Sequence, residues 1–113
     1  MNKTDAIKLI NKNLRLSLDN TNTNWSNINA NELWSIEPRF ERKNQLLFLV
    51  LNNNKTRMIH VFKIPQLHSV YPNLYIRGDK GVYRLIFDIS DSMFVEKLKH
   101  IDFKSFHVSS LKY

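Results

Sequence analysis

QLLFLVLNNNKTRMIHVFKI, residues Gln45–Ile64, carries the pattern of a β-hairpin. Six consecutive apolar residues, Leu46–Leu51, lie between Gln45 and Asn52. A bounded run of that length fits a central strand covered on both faces. An Asn-Asn-Asn-Lys turn follows, since asparagine tolerates turn conformations. Thr56–Ile64 then alternates: Met58, His60, Phe62 and Ile64 share one face, and Arg57, Ile59, Val61 and Lys63 share the other. Pro65 stops the strand, because proline cannot donate to a ladder.

A second hairpin lies downstream, where Leu74–Arg77 and Val82–Asp88 flank Gly78-Asp79-Lys80-Gly81. The chain's two glycines both fall at this turn, where positive φ is most needed. Leu74 and Ile76 alternate with Tyr75 and Arg77, while Tyr83, Leu85, Phe87 and Ile89 alternate with Val82, Arg84, Ile86 and Asp88. With the apolar sets turned inward, Tyr75, Arg77 and Arg84 emerge together on the outer face.

Upstream, Leu33–Glu37 alternates as a short strand, with Leu33 and Ser35 opposite Trp34 and Ile36, and Pro38 ends it. The Asn-rich stretch Asn20–Asn31 reads as a loop tacked to the core by Trp25 and Ile28. Thr4 caps a predicted helix over Asp5–Leu18 with an apolar face of Ile7, Ile10, Leu14 and Leu18. Leu9 and Leu16 fall on its far side, under the following loop. Downstream, Asp91 caps a second predicted helix that runs to His100 with Phe94, Val95, Leu98 and Ile101 on its apolar face. His107–Leu111 adds a last strand. The expected architecture is α+β: an antiparallel β-meander of four to five strands with an N-terminal and a C-terminal helix packed on one face. Residues 1–113 form a single domain in this reading.

The absence of cysteine excludes disulfides, thiolate metal sites and thiol nucleophiles. The longest apolar run is too short to span a bilayer, and no apolar signal segment opens the chain. A cytoplasmic protein without membrane contact is therefore expected. The net charge of +7 is not evenly spread. Between Arg39 and Arg84 stand nine basic residues against two acids, Glu41 and Asp79, whereas the remainder is balanced at eight of each. Such a confined excess is the electrostatic footprint of a polyanion partner.

Catalytic patterns are sparse. His60, His68, His100 and His107 show no metal-ligand spacing, and two glycines leave no phosphate-binding loop. Glu41-Arg42-Lys43 has the E-x-K spacing of metal-dependent nucleases but lacks an upstream Asp at a strand end. No catalytic residue, metal or cofactor is assigned from the sequence, and a binding protein rather than an enzyme is expected. The expected function is nucleic-acid binding, DNA included, through Tyr75, Arg77, Lys80 and Arg84, joined by Arg57 and Lys63 from the neighbouring hairpin. The competing expectation is a protein-interaction module, as a subunit or inhibitor of a larger complex or as a homodimer, anchored by Leu9, Leu16, Trp25 and Trp34.

Val82–Ile89, preceded by its Gly-Asp turn, resembles the strand pair of RelE-type and HigB-type ribonuclease toxins over fewer than 20 residues. The resemblance implies mRNA cleavage by basic and aromatic side chains, with Arg77, Arg84, His107 and Tyr113 as the matching positions. Those toxins place two helices before the sheet, where this chain has the hairpin Leu46–Ile64.

Overall fold

The computed structural model describes residues 1–113, which run α1 (Lys3–Leu14), β1 (Thr23–Asn27), β2 (Leu33–Ile36), β3 (Leu47–Asn53), β4 (Met58–Ile64), β5 (Tyr75–Arg77), β6 (Val82–Asp88), β7 (Val95–Glu96), β8 (Ile101–Asp102) and β9 (His107–Lys112). β3 and β4 form the first expected hairpin, in register from Leu47 opposite Ile64 to Asn53 opposite Met58. Every residue of β3 is buried, as a strand covered on both faces must be. Its two faces supply two different cores. Leu47, Leu49 and Leu51 join Phe62 and Ile64 against Trp34, Ile36, Leu85 and Phe87, whereas Phe48 and Val50 join Ile59 and Val61 against Ala6 and Ile10 of α1.

The result is three layers rather than a meander. α1 covers one face of a four-stranded sheet of order β1-β3-β4-β9, and a three-stranded sheet of order β2-β6-β5 covers the other. A two-stranded β7-β8 ribbon completes this mixed α+β domain, whose radius of gyration of 13.2 Å is that of one compact body. No helix is long and apolar enough to cross a membrane.

Several local expectations need correction. The first helix starts earlier than predicted, because the side chain of Asn2 rather than Thr4 accepts the orphan N–H of Asp5 at 2.8 Å. It also stops earlier: Arg15 turns left-handed at φ 53°, and the Asn11 amide brackets the backbone of Leu18 with bonds of 2.8 and 3.0 Å. Leu9 and Leu16 pack partly buried on the α1 core.

The Asn20–Asn31 loop contains β1, which pairs parallel with β3 from Thr23 opposite Phe48 to Asn27 opposite Asn52. Polar side chains are accommodated there chiefly by specific partners, although Asn24 Oδ1 is buried without one. Ser26 Oγ donates to Ser35 O at 3.1 Å, and Asn52 Nδ2 donates to Asn27 Oδ1 at 2.8 Å. Asn52 is fully buried and also accepts Tyr113 O–H on its side chain (2.7 Å) and Trp34 Nε1–H on its carbonyl (2.9 Å). One residue thus joins β1, β2, β3 and the end of β9.

The C-terminal helix does not form. Phe94 and His100 adopt left-handed backbone at φ 54° and 57°, which no helix interior accommodates. Between them the Glu96 side chain, fully buried, accepts three backbone N–H groups, from Ile86 (2.8 Å), Leu98 (3.0 Å) and Lys99 (2.8 Å). Lys97 N–H donates to Ile86 O at 2.8 Å, so the segment lies extended along β6. With it Phe94, Phe103 and Phe106 close the inter-sheet core.

His60, on the inner face of β4, touches Trp34 edge-to-face at 5.5 Å and Phe94 at 5.1 Å. Burial first, and the neighbouring His107 second, push its pKa down to about 4. The folded state therefore binds fewer protons than the unfolded state between the ordinary histidine range and about pH 4, and stability falls as pH drops through that window. The expected loss, discounted for partial exposure, is about 1–2 kcal/mol, read as a falling urea midpoint. His60→Gln should flatten that slope and leave the profile above pH 7 unchanged.

Candidate nucleic-acid interface

The β5–β6 hairpin closes through Gly81, whose φ of +65° spares a side chain the left-handed penalty, and Lys80 N–H donates to Arg77 O at 3.1 Å. Its register sets Tyr75 opposite Arg84, Ile76 opposite Tyr83 and Arg77 opposite Val82. Tyr83, Leu85 and Phe87 are buried against the larger sheet, so the alternate residues Arg84, Tyr75 and Arg77 occupy the outer face. Tyr75 is 44% exposed.

The charges on this face are not equivalent. Arg77 is engaged: Nη1 donates to Glu37 Oε2 at 2.8 Å, and Nη2 lies 3.9 Å from Asp79. The hydrogen bond to Glu37 leads the causes that raise its pKa. Arg84 has no acid within ion-pairing distance, and its Nε is buried without an acceptor. Lys80 is exposed at the turn, and Arg39, which sequence reading counted in the charge but left out of the site, bridges to Val82 on the same hairpin. Its signal was available in the Pro38 break, after which the chain continues beside β6 with Tyr83 N–H donating to Pro38 O at 2.8 Å.

Beside β5 runs a groove of about 360 Å³ lined by Lys43, Leu67, His68, Tyr71 and Ile76. The Tyr71 Oη is buried without a partner, and burial, then the adjacent Tyr83, pushes its pKa up to about 12, so it stays a neutral hydroxyl.

Comparison with protein-family models, curated proteins and solved structures gives no match to this chain.

Arg57 and Lys63 do not join the hairpin surface. Lys63 pairs with Phe48 and shares the α1-facing side of β4 with Ile59 and Val61, so two sheets separate it from Tyr75. Arg57 lies 5.4 Å over the Tyr113 ring and donates from Nε to Tyr113 O at 2.9 Å, again on the α1 side. The four positions matching the toxins also divide, Arg77 and Arg84 in the smaller sheet, His107 and Tyr113 in or beside β9 of the larger.

Proposed function

We propose that the protein binds single-stranded nucleic acid on the outer face of the β5–β6 hairpin. The observation that carries this reading is the pairing of an exposed Tyr75 directly across from an Arg84 that has no acid partner. A phosphate oxygen answers the Arg84 guanidinium, Lys80 and Arg39 extend the positive track, and Tyr75 offers a ring on which an unpaired base stacks. Glu37 and Asp79 are both drawn to Arg77, which leaves the other cations unopposed.

Fluorescence anisotropy with a labelled oligonucleotide tests this at two salt concentrations. Affinity should fall steeply with salt, as counterion release requires. Tyr75→Ala should weaken binding by about 5- to 100-fold, as expected for the loss of roughly 1–3 kcal/mol per stacked base. Arg84→Glu should weaken it at least about tenfold and reduce the salt slope, while Lys63→Glu on the opposite layer should change both little. Equal losses for Lys63→Glu and Arg84→Glu, or no binding at low salt, would refute the interface.

A protein-docking reading draws on Leu67 and Ile76, which are 63% and 52% exposed beside the same hairpin. It predicts a salt-insensitive partner and loss of binding on Ile76→Asp.

A further inference from the structure

At the other end of the inter-sheet space three side chains meet that are not neighbours in sequence. His60 and Ser110 are cross-strand partners on β4 and β9. A β-bulge then shifts the register between Val61 and Phe62, so that His107 rather than Val108 stands opposite Phe62. The bulge turns His107 onto the face of Ser110 and leaves Val108 42% exposed. Ser110 Oγ lies 2.7 Å from His60 Nδ1 and 2.9 Å from His107 Nε2. One hydroxyl proton serves only one imidazole, so the hydroxyl donates to one ring and accepts N–H from the other.

Ser110 opens onto a cleft of about 300 Å³ whose walls include Trp34, Phe94 and the Ile89–Ser92 segment. Asp91 on that rim, and Asp88 just outside it, are engaged by their own turns, Asp88 also by Lys97 at 3.5 Å. Asp88 Oδ1 accepts the Ser90 N–H at 2.9 Å and the Ser90 hydroxyl at 2.7 Å. Asp91 accepts the N–H groups of Met93 (2.9 Å) and Val95 (3.0 Å). The Ser92 backbone N–H, on the same rim, has no acceptor within the chain.

We propose that Ser110 is a nucleophile, with His107 as its base, for hydrolysis of small carboxylic esters bearing a flat apolar acyl group. Aromatic walls and the small cleft select that acyl group. The Ser110 Oγ bonds to the carbonyl carbon while its proton passes to His107 Nε2, and the carbonyl oxygen, now negative, meets the free Ser92 N–H. The tetrahedral centre collapses, the C–O bond to the alcohol breaks, and the departing oxygen takes the proton from His107. Water then adds to the acyl-serine through the same base, releasing the acid and restoring Ser110. His60, through Nδ1–H on Oγ, is a positioning residue. Burial pushes both imidazoles below the ordinary histidine range, His60 to about 4.

This site is independent of the nucleic-acid surface, and an alkyl fluorophosphonate probe tests it directly. Mass spectrometry of the intact chain and of its peptides should find one adduct, on Ser110, absent in Ser110→Ala. His107→Gln should slow labelling about 100-fold, the scale of a lost general base. His60→Gln should slow it less, and circular dichroism should show both variants folded. No adduct on Ser110 of the unaltered chain, under conditions that fully label a serine hydrolase, overturns the proposal. So does labelling of a folded His107→Gln at the unaltered rate.

Discussion

Glu96→Ala should destabilise the protein by about 3–5 kcal/mol and lower its urea midpoint by roughly 1.5–2.5 M. The side chain is fully buried and answers three backbone N–H groups at once. Alanine leaves all three without an acceptor. The Ile86 donor lies within β6, where water reaches poorly, while those of Leu98 and Lys99 lie on the adjoining turn. Each stranded buried donor costs about 1–3 kcal/mol, more where a charged acceptor is lost. Glu96→Gln is the informative companion. Its one oxygen can face Ile86 and Leu98, but its amide N–H₂ then faces the Lys99 donor, so it should recover only part of the loss. A midpoint for Glu96→Ala within about 0.5 M of the unaltered chain would mean that the carboxylate does not hold this segment against β6.

Trp34→Ala should cost about 3–5 kcal/mol, the usual range for emptying a large aromatic site, and lower the thermal midpoint by roughly 10–25 °C. Trp34 is 1% exposed and stands between the two sheets. Its Nε1–H is also a stitch, from β2 of the smaller sheet to the Asn52 carbonyl of β3 in the larger. Trp34→Phe separates the two contributions. It keeps most of the apolar contact but strands the carbonyl, for an expected loss of about 1–3 kcal/mol. If Phe and Ala cost the same, the hydrogen bond rather than the ring volume dominates.

Strand existence and facing were legible where side chains alternate or run apolar. Leu46–Leu51, the Met58–Ile64 alternation and the Tyr83-Leu85-Phe87 set all announced themselves, because burial on one or both faces imposes a period. Two regions were not legible, for opposite reasons. β1 has the composition of a loop, and only specific partners such as Asn52 make its polar side chains tolerable inside. Residues 91–100 have helical spacing, yet the burial of Glu96 and the left-handed Phe94 and His100 override it.

The candidate site divided along the same line. Alternation placed Tyr75, Arg77 and Arg84 on one outer face, but it carries no information about which sheet a hairpin joins, and so it grouped Arg57 and Lys63 with them. The His60–Ser110–His107 cluster left no local trace. It exists only because β9 returns to β4 with a bulge.

The strand order has a further meaning for how the chain assembles. Within the larger sheet only β3 and β4 are neighbours in sequence, and only β5 and β6 are so placed in the smaller. Every other ladder of these sheets waits for a long loop to close: Thr23 must reach Phe48, Leu33 must reach Asp88, and Met58 must reach Lys112. Loop closure costs entropy before any contact offsets it. Two quickly formed hairpins therefore wait on slow, distant partners, and the speed of folding is governed by where the strands lie along the chain, not by how much each one buries.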